Sequence, residues 1–136
     1  QFIAPGRVFC LSGPLGAGKS ELARAMITTF CGPQDDIPSP TFTLVQPYLS
    51  DAGFEVWHMD LYRLETAEQA LALGIEDAFY ACCCLVEWPD KLQEWLPADK
   101  IRIDLAMGSD TGARVVALAA ATEILDQFKQ DYFSQF

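Results

Sequence analysis

The segment Gly13-Pro14-Leu15-Gly16-Ala17-Gly18-Lys19-Ser20 constrains this chain more than any other stretch. It satisfies G-x-x-x-x-G-K-[ST] in full, and both flanks agree with it. Before it, Arg7 to Ser12 (RVFCLS) is a short apolar run read as a buried strand. After it, Glu21 to Phe30 reads as an amphipathic helix, with Leu22, Met26 and Phe30 at i, i+4 and i+8. Strand, glycine-rich loop and helix in that order make a phosphate cradle. The glycines let the backbone curl so that consecutive N–H groups point inward, and the helix N-terminus adds the positive end of its dipole. Lys19 offers a movable cation to the β and γ phosphates, and the Ser20 hydroxyl is of the kind that ligates magnesium. Gly13, Leu15, Gly16, Ala17, Gly18, Lys19 and Ser20 are therefore the expected ATP-binding residues. The competing reading, an ordinary glycine-rich turn, does not account for both flanks.

Further along, Cys31-Gly32-Pro33 stops the helix, and Asp35 to Pro40 is a loop with two prolines. Thr41 to Tyr48 reads as a strand, placed at an edge by Pro47, and Phe54 to Met59 as another after the turn Asp51-Ala52-Gly53. Thr66 with Gln69 three residues on predicts a capping box for a helix that ends at Gly74, followed by a short helical piece over Glu76 to Tyr80. Cys82 to Val86 has the pattern of a strand buried on both faces, and it delivers Glu87 and Trp88 to its carboxyl end. Ile101, Ile103 and Leu105 alternate with Arg102 and Asp104, so that strand has one wet face. Gly108 to Gly112 then turns the chain into a partner strand, Ala113 to Leu118. Ile124, Leu125, Phe128 and Tyr132 fall on one stripe of a final helix. The expected fold is α/β: a P-loop NTPase-like three-layer sandwich around a mainly parallel sheet with a C-terminal antiparallel hairpin. At 136 residues, of which 51% are apolar, the chain suits one domain spanning 1–136.

Charge and cysteine usage narrow the function. Nine basic and 19 acidic residues give a net charge of −10, which repels a phosphodiester backbone; simple solubility explains the balance equally well. If the protein serves nucleic acid biology, a partner is expected to hold the nucleic acid. Cys10, Cys31, Cys82, Cys83 and Cys84 are odd in number, and three are consecutive, so they make a poor disulfide framework. With no Cys-x-x-Cys pair and only His58 as a nitrogen ligand, zinc is not expected, and reduced, buried cysteines of a cytoplasmic protein are. No secretory signal or membrane-spanning run is visible.

A phosphate cradle of this kind works with a carboxylate at a nearby strand end. Glu87, after CCCLV, and Asp60, after FEVWHM, both qualify; the alternative for each is a solvated strand-end acid. Glu87 is assigned to the magnesium site with Ser20, and Asp60 to the attacking water or an outer contact to the metal, with the reverse assignment open. Thr41, after Ser39-Pro40, stands where a mobile loop reaches a γ-phosphate, or it merely starts a strand. Arg63 is a candidate for neutralising transition-state charge or for a structural ion pair. Trp88 either shields the site or packs, with packing or a partner contact the preferred reading, and His58 reads as a packed strand residue before a catalyst.

Taken in order, LSGPLGAGKS, SPTFTLV (Ser39 to Val45), HMDLYRL (His58 to Leu64), LGIEDAF (Leu73 to Phe79) and VEWPDKL (Val86 to Leu92) resemble the TsaE (YjeE) family of bacterial ATPases. The resemblance runs from about Gly6 to Ile103. Only the first block is specific alone; the order and spacing of all five are specific together. It implies an accessory ATPase required for threonylcarbamoyl modification of adenosine 37 in tRNA. It further implies ATP and magnesium as ligands, the TsaB–TsaD heterodimer as partner, and contact with tRNA only through that complex. Carried over, Lys19 and Ser20 fall on the family's P-loop pair, Thr41 on the threonine of its SPT block, Asp60 on the aspartate of its HxDxYR block, and Glu87 and Trp88 on its EW pair; Lys19, Thr41, Asp60 and Glu87 are the expected catalytic residues. The chain departs from the family at Pro14, where Asp is usual, and at Ser20, where Thr is usual. Serine keeps the metal-ligating hydroxyl, while Pro14 removes an N–H from the loop. A helix that the family carries before the Arg7 strand, expected near the adenine, is not in this sequence.

Three rival readings fit the sequence less well. A small-molecule kinase would want an arginine-rich lid, whereas Arg7, Arg24, Arg63, Arg102 and Arg114 are scattered. A GTPase would want Asn-Lys-x-Asp, which does not occur. A non-enzymatic scaffold would not need Lys19, Ser20, Asp60 and Glu87 together.

Overall fold

Strand β1 (Val8–Ser12) is the axis of the molecule, and its residues alternate between two apolar cores. Val8 and Cys10 face one side of the sheet; Phe9 and Leu11 face the other. The computed structural model describes residues 3–38, 40, 43–110 and 112–132, with backbone only for 131 and 132. Six strands form one sheet in the order β2-β3-β4-β1-β5-β6, where β2 is Val45–Leu49, β3 Glu55–Asp60, β4 Cys83–Glu87, β5 Ile101–Met107 and β6 Arg114–Ala119. The four central strands are parallel. Both edges are antiparallel: β6 on β5, as expected of the hairpin, and also β2 on β3. The turn through residues 51–53 returns the chain at once beside β2, and so short a connection permits only antiparallel pairing. Pro47 lies in β2 at the edge, where its missing N–H costs no ladder bond.

Helices cover both faces, giving three layers. On the Phe9 side lie α1 (Lys19–Cys31) and α4 (Thr122–Tyr132), packed through Ala23, Ile27, Cys31 and Ile124. On the Val8 side lie α2 (Ala67–Leu71) and α3 (Ile75–Ala81), through Ala70, Ile75, Ala78 and Phe79. The capping box at Thr66 forms: the Gln69 side chain accepts from the Glu65 and Thr66 N–H groups at 2.8 and 3.4 Å. The expected stripe of α1 is displaced by one residue. Ala23, Ile27 and Cys31 meet the sheet, while Leu22, Met26 and Phe30 flank it and line an apolar groove with Val116, Leu118 and Phe128. The small Ala23 lets the helix approach the sheet closely just after the loop, and that approach turns the larger side chains aside.

Alternation also explains the cysteine run. Cys84 and Val86 enter the core under α2 and α3, Cys83 and Leu85 the core under α1. All five cysteines are buried free thiols. Burial pushes the Cys10 and Cys83 thiols up to about 12, and Cys84 higher still. Among the described residues, no helix is long and apolar enough to cross a membrane.

Candidate functional site

The parallel strands β1, β3 and β4 end together, and their last residues meet the glycine loop. Register sets Asp60 beside Glu87, and Glu87 beside Leu11, one residue before β1 ends. The loop therefore leaves β1 next to two carboxylates, in the crevice outside the carboxyl ends of a parallel sheet, where open α/β sheets bind ligands. Gly13 has no room for a side chain: a Cβ there would lie 2.5 Å from the Leu105 carbonyl oxygen. Gly18, at φ 104°, closes the loop in left-handed geometry directly before α1 begins at Lys19. The cleft above is about 450 Å³ and is lined by Leu15, Gly16, Gly18, Lys19, Ser20, Glu21, Arg24, Asp60, Tyr62, Glu87 and Trp88.

Four buried polar side chains concentrate here: Lys19, His58, Asp60 and Glu87. Such groups are tolerated only when partnered. Glu87, 2% exposed, is held on both oxygens. Ser20 Oγ donates to Oε1 at 3.0 Å, and His58 Nε2 lies 2.6 Å from Oε2. Asp60 Oδ1 accepts the Tyr62 N–H at 3.0 Å. The Lys19 ammonium donates to the carbonyls of Gly13 at 2.5 Å and Pro14 at 3.0 Å, and sits 4.2 Å from the centroid of the Trp88 ring. Burial pulls the Lys19 pKa below the usual lysine range, and the carboxylates of Glu87 and Asp60 oppose that pull.

Trp88 reaches Lys19 by an unusual backbone. At φ 57° and ψ 53° it occupies the left-handed region, sparsely populated for a bulky residue, and this turns the chain sharply out of β4 into the short turn Pro89–Lys91. Its ring packs against Tyr62 with centroids 5.1 Å apart. Trp88 thus packs, as its sequence suggests, and also walls the cleft.

The structure brings together Gly13, Leu15, Gly16, Ala17, Gly18, Lys19, Ser20, Asp60 and Glu87, the residues singled out in the sequence. Within the loop, Leu15 is exposed and Ala17 buried. Thr41 lies outside the described residues. Arg63 is exposed and does not line the cleft.

Two residues carry more than their sequence context suggested. His58 is a packed strand residue, but it is also hydrogen-bonded to Glu87. Its signal was the period of two, which puts His58 and Asp60 on one face of β3. Arg114, the first residue of β6, donates to the carbonyls of Ala17 at 3.0 Å and Gly16 at 3.3 Å. These bonds tie the glycine loop to the far edge of the sheet. No local pattern marks this residue, because the contact joins positions 97 and 98 apart in the chain.

The donor set suits a hard divalent cation. Ser20 gives its one proton to Glu87 and keeps its lone pairs, while Glu87 is engaged once on each oxygen and keeps further lone pairs. Among the described residues, no three His, Cys, Asp or Glu side chains cluster as a metal cage. Two protein oxygens completed by phosphates and water is the way magnesium is usually held.

Comparison with known proteins adds an independent line. The family model described as "Threonylcarbamoyl adenosine biosynthesis protein TsaE" matches residues 1–116. Among curated relatives, a Rickettsia bellii protein named tRNA threonylcarbamoyladenosine biosynthesis protein TsaE is 37% identical over 108 residues, 79% of this chain and 74% of that protein. A Haemophilus influenzae protein of the same name is 41% identical over 115 residues, 84% of this chain and 70% of that protein. The match spans 61% of the length of the Rickettsia felis relative and 59% of that from Rickettsia conorii. The crystal structure of Bacillus subtilis YdiB superposes with a TM-score of 0.72 at 26% identity, covering 93% of this chain and 79% of that one.

Proposed function

The chain belongs to the TsaE family of threonylcarbamoyl adenosine biosynthesis proteins, and we propose that within that biosynthesis it is a magnesium-dependent ATPase whose turnover answers to a protein partner. The observation that carries this reading is the hydrogen bond of Ser20 to Glu87 in the same cleft as the Lys19 ammonium. A P-loop hydroxyl, a strand-end carboxylate and a P-loop lysine within one crevice are the parts that phosphoryl transfer from ATP requires.

The roles follow from the chemistry of each group. Backbone N–H groups of the loop, to which Pro14 contributes none, and of the first turn of α1 bind the phosphates. Lys19 exchanges the carbonyls of Gly13 and Pro14 for β- and γ-phosphate oxygens, and the face of Trp88 keeps its ammonium at the mouth of the loop. Ser20 and Glu87 are the residues that would hold magnesium. The chemistry it supplies when bound is neutralisation of charge building on the phosphate oxygens. Asp60, beside Glu87 in register, is assigned to orienting the attacking water. Thr41 is assigned to sensing the γ-phosphate.

The partner proposed is the TsaB–TsaD heterodimer, with tRNA engaged only through it. A surface of net charge −10 supports an accessory role without its own grip on tRNA. An open cleft excludes water poorly, so turnover alone is expected to be slow and closure by a partner to raise it. ATP hydrolysis by the purified chain with and without a cognate TsaB–TsaD pair tests this. Stimulation that disappears in Lys19→Ala is the expected result. An unchanged rate with the pair, nucleotide still bound, would defeat the partner reading.

A further inference from the structure

Glu87 has a buried neighbour on the adjacent strand. His58 is fully buried on β3, and Glu87 is 2% exposed on β4. They meet at 2.6 Å through Nε2 and Oε2. The other ring nitrogen, Nδ1, is buried and has no hydrogen-bond partner among the described residues. We propose that His58 is a positioning residue for the metal-binding carboxylate, its Nε2–H fixing one oxygen of Glu87 while Ser20 fixes the other.

The orphaned nitrogen decides the tautomer. A proton on Nδ1 would be a buried donor with no acceptor among the described residues, which costs the desolvation of an N–H. A bare Nδ1 leaves only a weaker unmet lone pair. A ring protonated on Nε2 alone donates to the carboxylate and carries the smaller penalty. With one hydrogen bond on each oxygen, Glu87 cannot rotate about its terminal bond without breaking both. Its remaining lone pairs are thereby held in one orientation, which is the task of residues that stand behind a metal ligand. The two strands enforce the pair: parallel register sets His58 opposite Leu85 and Asp60 opposite Glu87, so the imidazole lies on the face to which the carboxylate points. His58 touches no part of the cleft lining other than Glu87 in any described hydrogen bond, so its action on a ligand is indirect.

This inference rests on the magnesium–nucleotide reading of the cleft, and its test separates the two. His58 is the only histidine in the chain, so its ¹⁵N resonances are unambiguous. In the protein alone, the neutral ring is expected to carry its proton on Nε2 and to leave Nδ1 bare. A neutral ring protonated on Nδ1 alone would leave Nε2 without a proton to donate and would overturn the proposal whether or not nucleotide binds.

The second arm measures ADP affinity with and without Mg²⁺ in the wild type, His58→Leu and His58→Gln. Leucine fills the space without a donor; glutamine restores an N–H near the Nε2 position. His58→Leu is expected to lose about 10- to 100-fold of the Mg²⁺-dependent tightening, the usual cost of removing such a support, with Mg²⁺-free affinity unchanged. His58→Gln is expected to recover most of it. Full tightening in His58→Leu, or equal loss in both variants, would overturn the positioning role. Absence of tightening in the wild type would instead sink the reading of the cleft, and the tautomer spectrum would still judge the buried pair.

Discussion

Cys83, Cys84, Leu85 and Val86 in the body of β4 are 0% exposed and meet apolar neighbours on both faces of the sheet; Glu87, next in the chain and 2% exposed, meets a serine and a histidine. Burial is the same in the two regions, and what each requires of its residues is not. The body is held by volume and apolar area, which several side chains of similar shape satisfy. The end is held by hydrogen bonds between specific groups, and removing one member leaves a buried polar atom unmet. The body supplies the rigidity with which the end keeps its geometry. The two are therefore expected to fail differently when altered.

The largest effect is expected at the polar end. Lys19→Ala removes the one buried ammonium of the cleft and should weaken ATP binding roughly a thousandfold, about 4 kcal/mol, within the range for truncating a buried charge partner, while thermal stability changes little. Titration with a fluorescent ATP analogue, paired with a melting curve, measures both. Retained affinity would remove the functional half of the contrast.

Next comes the apolar body. Leu85→Ala should cost about 3 kcal/mol in denaturant unfolding, the usual cost for a buried leucine. The ATP affinity of the molecules that remain folded should be unaltered. If affinity falls in step with stability, the two regions are one unit and the contrast fails.

A smaller effect sharpens the boundary between them. Arg114→Met keeps the apolar stem but drops the hydrogen bonds to the Gly16 and Ala17 carbonyls. A loss of about 1 kcal/mol in nucleotide affinity, roughly fivefold, is expected, with the Mg²⁺ dependence intact. A larger loss that also erased that dependence would place Arg114 within the polar end.

The smallest effect belongs to the thiols. Folding raises Cys10 and Cys83 from the ordinary 9.0 to about 12 through burial, so the folded state keeps protons that the unfolded chain has released. Their contribution to stability is complete below about 9 and is lost as pH climbs toward 12. At neutral pH, no change in unfolding free energy is expected from them, and a thiol reagent should label the folded protein only as fast as it opens. Fast labelling of native Cys83 would show the body of β4 to be less closed than its packing implies.

How much of this was legible follows from how local each feature is. The phosphate loop is eight contiguous residues between a strand and a helix, and the capping box at Thr66 spans four; both could be read directly. Glu87 and Asp60 stood out as acids ending apolar runs, although each is the last residue of its strand instead of the first beyond it. The antiparallel direction of β2, the His58–Glu87 bond and the reach of Arg114 depend on register between strands distant in sequence, which periodicity does not encode. Nor does composition separate β4 from β6: both are apolar, yet β4 is buried throughout while Val115 and Val116 on the edge are more than half exposed. Only strand order distinguishes them. The left-handed backbone of Trp88 has no sequence signal, since nothing but the fold imposes that angle on a tryptophan.

The carboxyl end of β4 is the proposed seat of a magnesium–nucleotide complex. The most direct measurement is ATP affinity with and without Mg²⁺ in the wild type and in Glu87→Gln, which keeps the size of the side chain and removes its charge. Mg²⁺ should tighten ATP binding to the wild type and leave the variant nearly unchanged. Equal tightening in both would contradict the account, and the metal site would then have to be sought at Asp60.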